Sequence, residues 1–540
     1  MGPVSEDEFE ATDDYRLDRR TLITRAGALG FAATALWPAE ALAGLTGESA
    51  QNVSTTYRML NANNEPARID PLYPTSDGSI RKLIFEGLTG NSLTGGDPVN
   101  VLAQTMTLSK DRLSIDFTLK RGIKFHRGFG DVTAEDVKFS LERAAGITES
   151  KEPSGVKGFF TALKRVQVLG KYSGRLVLKF PSVTLINAGL NEFPAVILSK
   201  KAFTTLGETA HFQNPVGTGP YQMGKWNHGQ DLTLNDFPGY SGAVPFIPKV
   251  RFKSVVLVFI RDAAAAEAAY DTRQLDFLNV PASAVARFRA KKNTAVHKAI
   301  IPSYSWIGMN VLDRALSNRN LRRAIINAVD VPAILQAIGG NPIRARAMVA
   351  PGTIGYWKDA PRHERNVARA RQLLQGVPDA DKKLTFHFVS DVESRIVAQV
   401  AEQNLAEVGL EVTLVPQSVG GFFINGSAEL RKRQLYYTGY GPVFKEPTSE
   451  FTYWTCGSLE TWNYNQWCNR KFTTLFNRAQ KEFDRKQRTK TYIEMQRLWD
   501  KAENTVWVMH GADYVAWRRT VVKPIFGPGG GAFGQAFRPV

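Results

Sequence analysis

The segment from Lys383 to Val415 constrains the fold more than any other stretch of the chain. Leu384, Phe386 and Phe388 alternate as a half-buried strand does, and Leu410, Val412 and Leu414 repeat the pattern after Gly409. Between them, Ser394 to Val408 reads as a helix. Strand, helix, strand of this length is a parallel right-handed crossover, since antiparallel neighbours need only a short turn. Asn366–Leu374 reads as a further helix, and Arg485–Lys501 as another with Met495, Leu498 and Trp499 on one face. The fold class is therefore α/β.

A second stretch, Arg121 to Arg143, is the most specific in its wording: RGIKFHRGFGDVTAEDVKFSLER. A basic strand-like segment turns through Gly128 and Gly130 and then starts a helix. Thr133 is a natural N-cap and Asp136, three residues on, makes an acidic capping box, while Glu135 and Asp136 suit the positive end of the helix dipole. Val137, Leu141, Ala144 and Ala145 give that helix one buried face.

Other blocks accompany it. Arg68–Thr89 reads RIDPLYPTSDGSIRKLIFEGLT, and Asn214–Tyr221 reads NPVGTGPY, followed by Trp226 and Asp236–Tyr240. Asn310 closes IGMN, ahead of Asn320-Leu-Arg-Arg-Ala-Ile-Ile-Asn-Ala-Val-Asp330. In wording and order these blocks resemble the family 5 extracytoplasmic solute-binding proteins, the peptide, nickel and opine receptors of ABC importers. The resemblance implies a two-lobed periplasmic binding protein fold of the large type, with discontinuous lobes joined by a two-crossing hinge. On that pattern lobe I takes residues 44–299 plus 516–540, with an inserted subdomain over about 86–212, and lobe II takes 300–515. The crossings fall near Ile300–Ser303 and Val515–Arg518. The resemblance also implies a monomer that delivers its solute to an inner-membrane permease driven by separate ATPase subunits.

The first 43 residues read as a leader and not as part of the fold. Arg19-Arg20 precede Leu22-Ile23, an apolar run extends from Ala26 to Leu36, and Ala41-Leu42-Ala43 is an A-x-A cleavage site. This is the pattern of a twin-arginine export signal, and its apolar run is too short to span a bilayer. Residue 45 is Leu, so no cysteine follows the cleavage site to carry a lipid. The expectation is a soluble periplasmic protein. The chain carries 68 Lys and Arg against 51 Asp and Glu, and removal of the leader raises the net charge from +17 to +21. These cations are spread along the chain without a nucleic-acid module, so they read as solvated surface and no nucleic-acid partner is expected. The two cysteines, Cys456 and Cys468, suit a disulfide in an oxidising compartment; two unpaired buried thiols are the alternative.

Motifs of catalysis and cofactor binding fail on inspection. Gly219-x4-Gly224-Lys225 approaches a P-loop, but Trp226 stands where a Mg²⁺-binding hydroxyl is required. Gly529, Gly531 and Gly534 fit G-x-G-x-x-G with no helix to follow. The seven histidines (126, 211, 228, 297, 363, 387 and 510) show no pair at metal-ligand spacing. His126 reads as structural. Neither a cofactor nor a metal site is expected, and no catalytic residue is assigned.

The candidate ligand site rests on aromatic density. Tyr436 to Trp467 holds ten aromatics in 32 residues, against 11% for the chain. Binding clefts favour such side chains; the alternative is a core stiffened by the cysteines. The run from Gly439 to Ser449, GYGPVFKEPTS, resembles the cleft-lining loop of peptide receptors, in which an aspartate pairs with the peptide's α-ammonium. Here Val443 stands at that position, so either Glu446 or Glu450 takes over, or the ligand lacks a free α-amino group. The candidate ligand-binding residues are Tyr73, Pro74, Thr75, Trp306, Tyr437, Gly439, Tyr440, Gly441, Val443, Phe444, Glu446 and Trp454. The leading expectation is capture of a peptide or peptide-like solute, with opines and modified peptides included. A hydrolase with a spatially assembled triad and a peptide-holding chaperone are the alternatives, and a nickel or metal-chelate receptor is disfavoured by the scattered histidines.

Overall fold

The computed structural model describes residues 55–540 apart from 62–64, 67, 73–77, 93–97, 149–153, 155, 192–194, 245, 249–250, 340–341, 424–426, 442–445, 460, 528–531 and 533. Arg19, Arg20, Ala41 and Ala43 of the leader lie outside the described residues, as do Tyr73, Pro74, Thr75, Val443 and Phe444.

The crossover read from the sequence is present. Strands Lys383–Val389 and Glu411–Gln417 pair in parallel from Lys383 opposite Glu411 to Val389 opposite Gln417. The intervening helix runs Val392–Ala406, two residues earlier at each end than its apolar pattern suggests. Asp391 sets that start: its carboxylate accepts from the Ser394 backbone N–H at 2.8 Å. Gly409, at φ +91°, releases the chain into the second strand.

These strands form one end of an eleven-stranded sheet. Its spatial order is Glu411–Gln417, Lys383–Val389, Leu435–Tyr440, Thr294–Met309, Thr505–Arg518, Phe277–Val280, Thr56–Asn61, Ser254–Phe259, Asp231–Asp236 and Tyr221–Asn227. Ile343–Arg344 pairs off this path against Thr505–Arg518. The two central strands are far longer than the rest, and they run antiparallel from Thr294 opposite Arg518 to Gly308 opposite Thr505. Toward one end they share a core with Leu384, Phe386 and Leu405 through Ile307, Met309, Val506 and Val508. Toward the other, Val515 packs with Tyr57, Leu257 and Phe277. One sheet therefore threads two separate cores.

Between the cores the ladder is interrupted. Ile300 pairs with Ala512 and Tyr304 with His510, so Ile301–Ser303 bulge opposite the single residue Gly511. The Ser303 hydroxyl accepts from the Gly511 N–H at 3.1 Å, and a Cβ on Gly511 would fall 2.1 Å from that oxygen. The first long strand is thus irregular at Ile301–Ser303 and the second at Gly511, while Val515–Arg518 is paired on both flanks, with Phe277–Asn279 and with Thr294–His297.

Within the span read as an insertion, strands Ala103–Leu108, Ser114–Leu119, Ser173–Leu178 and Leu163–Gly170 form a four-stranded antiparallel sheet. Helix Ala134–Ala144 covers it, with Phe117, Leu141 and Leu176 in a shared core. The capping box is present, the Thr133 N–H donating to Asp136 at 2.9 Å. The signature helix is pinned to the opening block, because Arg143 grips the buried Asp70 at 3.2 and 3.0 Å. His126 is structural. Its Nδ1 accepts from the Gly217 N–H at 3.3 Å and its Nε2 lies 3.0 Å from the Gly219 carbonyl. Burial pushes the imidazole down to about 4, which keeps it neutral for this two-sided clamp.

The glycines of NPVGTGPY are explained by a close approach to the backbone of Leu83 and Ile84. A Cβ on Gly217 would lie 2.0 Å from the Ile84 carbonyl oxygen, and one on Gly219 would lie 2.5 Å from that of Leu83. Both atoms are backbone and cannot rotate away. Gly217→Ala is expected to lower stability by about 3 kcal/mol in chemical denaturation. Gly158→Ala, where an added methyl meets nothing within 4 Å, is expected to stay within about 0.5 kcal/mol.

Candidate functional site

A cavity of about 350 Å³ opens at the interruption of the two long strands. Its volume lies in the range of small-molecule sites. Ser303, Tyr304 and Ser305 reach it from the first long strand and Gly511 to Tyr514 from the second. Gly439, Tyr440 and Gly441 come from the end of Leu435–Tyr440, and Glu393 from the first turn of helix Val392–Ala406. Part of the wall, at Gly441 and Glu393, thus lies just beyond the carboxyl ends of two strands, where open α/β sheets bind ligands.

Three of the expected site residues, Gly439, Tyr440 and Gly441, line this cavity. Gly439 leaves little room for a side chain, since a Cβ would sit 3.2 Å from the Tyr304 carbonyl oxygen. The Tyr440 hydroxyl donates to the Trp462 carbonyl at 2.7 Å, so its ring is held in place. Tyr437 points to the other face of its strand, as the period of two requires. There its hydroxyl donates to Glu393 at 3.0 Å, supporting a residue of the wall without forming it.

Trp306 and Trp454 are corrections. Both are completely buried, packed edge to face at 5.1 Å. Each indole donates inward, Trp306 to the Tyr436 hydroxyl at 3.2 Å and Trp454 to the Tyr304 hydroxyl at 3.0 Å. Trp454 therefore braces Tyr304 from within the core. The aromatic-rich segment behaves the same way. Seven of its ten rings, those of Tyr436, Tyr437, Tyr440, Phe451, Trp454, Tyr464 and Trp467, are buried. Density of aromatics marked a core, and only the strand end beside it faces the cavity. The Cys456 and Cys468 sulfurs lie 2.07 Å apart, at bonding distance, across the loop carrying Trp462, Tyr464 and Trp467.

Glu446 is also committed elsewhere. Its buried carboxylate accepts from Arg488 at 2.8 and 3.2 Å and from the Tyr492 hydroxyl at 2.5 Å. The Asn187 amide reaches it from the inserted region at 3.3 Å. A carboxylate with these partners has no charge to spare for a ligand ammonium. Glu450 is buried beside Tyr304 and Tyr453. Near the Asn187 contact, Arg112 stacks on Phe483 at 4.5 Å and Lys481 on Phe180 at 5.8 Å. Arg112, Phe180 and Asn187, from the span read as an insertion, therefore touch the Glu446 side of the molecule at three points.

Sequence reasoning missed Glu393, Asp513, Ser303, Tyr304 and Ser305. A signal for two of them was present. Asp513 interrupts an otherwise apolar run ending VWVMHGADYVAW, and acidic residues are depleted within strands. Glu393 follows a strand directly in a crossover unit, the position the general rule for α/β sheets singles out. Among the described residues no group of three or more His, Cys, Asp or Glu side chains gathers as a metal site. No helix among them is long and apolar enough to cross a membrane.

The Glu446–Arg488 pair is open to a direct test. Arg488→Met strands a buried carboxylate and is expected to cost about 3–5 kcal/mol in urea unfolding. Combining it with Glu446→Gln is expected to recover most of that loss.

Comparison with known proteins agrees with this architecture. Residues 97–460 match the family described as bacterial extracellular solute-binding proteins, family 5. The oligopeptide-binding protein AppA of Bacillus subtilis (strain 168) is 28% identical over 64% of this chain, which covers 66% of that relative's length. The glutathione-binding protein GsiB of Salmonella choleraesuis (strain SC-B67) is 26% identical over 80% of this chain and 83% of its own. Among solved structures, the periplasmic binding protein DppA of Helicobacter pylori, in complex with the peptide STSA, superposes with a TM-score of 0.76 at 22% identity. The superposition covers 90% of this chain and 97% of that one. A sheet that threads two cores, with a cavity where it is interrupted, is the two-lobed periplasmic binding protein fold. With a match over two thirds of its length, the chain belongs to the family 5 bacterial extracellular solute-binding proteins, which bind solutes for transport outside the cytoplasm and are not enzymes.

Proposed function

We propose that this protein is the periplasmic receptor of an ABC importer, closing two lobes on a peptide or peptide-like solute. It then presents the closed form, as a monomer, to an inner-membrane permease with separate ATPase subunits. The observation that carries this reading is the cavity at the interruption of the two long strands. A site there touches both halves of the sheet, so its occupant favours whichever arrangement brings the halves together. The relatives named for oligopeptides and glutathione support the solute class.

In this reading the lobes meet at Ile301–Ser303 and Gly511. Lobe I is residues 44–299 with the C-terminal segment, lobe II is the stretch from 300 to the second crossing, and the inserted subdomain spans about 86–212. The leader is a twin-arginine signal cleaved after Ala43. In the oxidising compartment it reaches, Cys456 and Cys468 form a disulfide.

Purified protein is expected to melt at a higher temperature with at least one member of a panel of dipeptides, tripeptides, glutathione and opines, and to leave that compound intact. Turnover of the compound, or no shift with any member at millimolar concentration, refutes the reading. For the cysteines, maleimide labelling of unfolded periplasmic protein is expected to modify no thiol before reduction and two after it. The Cys456→Ser, Cys468→Ser double variant is expected to lose about 3 kcal/mol, as for any bridge closing so short a loop.

A further inference from the structure

The three contacts on the Glu446 side join stretches of chain on opposite sides of the sheet bulge, and two of them mirror each other. Arg112 stacks on Phe483 at 4.5 Å and Lys481 on Phe180 at 5.8 Å, so each side offers the other one cation and one ring. The Asn187 amide adds a hydrogen bond to Glu446 at 3.3 Å. Arg112, Phe180 and Asn187 precede the bulge at Ile301–Ser303, whereas Glu446, Lys481 and Phe483 lie between it and Gly511. Apolar burial, by contrast, stops there. Among the described residues each core keeps to one side of the bulge: Ile307 and Val508 share one, Trp306 and Tyr492 another, and Phe117, Tyr57 and Tyr270 belong to the rest.

Contacts of this kind part at small cost. Of the six residues only Glu446 is buried; Arg112 and Lys481 are exposed and the other three half-buried. Water takes over the amide and solvates the cations, whereas a shared apolar core would resist separation. Both surfaces are also built before they meet. Arg112 sits at φ +61° in a tight turn, where the Asp111 carboxylate accepts from the Ser109 hydroxyl at 2.5 Å and from the Leu113 N–H at 3.0 Å. Opposite, Lys481 closes helix Arg470–Lys481, and Phe483 lies in the turn to helix Arg485–Asp500. Arg488 fixes that turn. Its Nη1 donates to the Glu482 and Phe483 carbonyls at 3.0 and 3.4 Å, while Nε and Nη2 hold Glu446. One buried guanidinium therefore ties two of the contact points into a single body, and surfaces so prepared lose little entropy on meeting.

We propose that these contacts form a clasp between the inserted region and the helix pair, which favours the closed form before any solute arrives and comes undone when the lobes open. The clasp rests on the two-lobed closing proposed above. It sets the closed fraction of the free protein, and so scales the affinity for every solute without touching one.

Nitroxide labels on Leu169→Cys and Leu312→Cys, at side chains 59% and 60% exposed on opposite sides of the bulge, report the lobe separation by pulsed electron resonance. The chain without the introduced cysteines is the blank. Solute-free protein is expected to show a short and a long distance. Arg112→Ala combined with Lys481→Ala removes both cations and is expected to lower the ratio of short to long about tenfold, each contact contributing about two- to fivefold. Arg112→Lys combined with Lys481→Arg keeps both charges and is expected to stay within about threefold of the original ratio. All four substitutions fall on exposed side chains, so folding survives them. A ratio unchanged in the alanine pair, while glutathione, alanyl-leucine or an opine at millimolar concentration shifts it, overturns the clasp and leaves the closing intact. An equal fall in the charge-keeping pair overturns it too, because the effect is then not that of a cation on a ring. A single distance that neither the alanine pair nor any of these solutes moves means that the lobes do not close, and the proposed function falls with the clasp.

Discussion

The pairing of the two long strands is the interaction on which the rest of this structure depends. Thr294–Met309 and Thr505–Arg518 come from segments some two hundred residues apart, and between them they join every strand of one core to every strand of the other. A fully regular ladder would make a single stiff sheet. Three residues opposite one, with Ser303 on the backbone of Gly511, break the ladder, and a second register shift follows between Ser305 and Trp306. The same defect opens the space that lines the cavity. The irregular pairing and the cavity thus share one local cause, the sheet bulge that a side chain at position 511 would obstruct.

Away from that defect, buried polar groups hold the scaffold together. His126, Arg143 and Arg488 each satisfy partners that are themselves buried, and they tie distant blocks of sequence together. Asp70 with Arg143 and His126 with Gly217 lock the opening block, the signature helix and the NPVGTGPY turn into one body. Glu393 and Asp513, by contrast, are exposed side chains at the cavity wall and need no such partner. Burial with a committed partner therefore marks scaffold better than aromatic content does.

The aromatic-rich segment shows why. Ten rings in a short stretch suit a cleft and a core equally well by composition, since both reward large rigid side chains. Strand alternation sends Tyr436 and Tyr440 to one face and Tyr437 to the other. The indoles of Trp306 and Trp454 then find hydrogen-bond partners inside the lobe and not at its surface. Glu446 was suggested by its place in a loop, but Arg488 from a helix 42 residues on already neutralises it. Neither outcome follows from local pattern, because each depends on a partner brought in by the fold.

Sequence alone determined the α/β class, the crossover over Lys383–Val415 and the capped signature helix. These are local: they follow from periodicity, capping chemistry and turn glycines within a few residues of each other. It also suggested Gly439, Tyr440 and Gly441, which line the cavity, through wording and not through physics. Only the tertiary structure decided that the second strand breaks at Gly511, that Trp306 and Trp454 are core, and that Glu393 and Asp513 share a wall. Those facts depend on contacts between segments more than one hundred residues apart, and charge compensation across such distances leaves no periodic trace in a single chain.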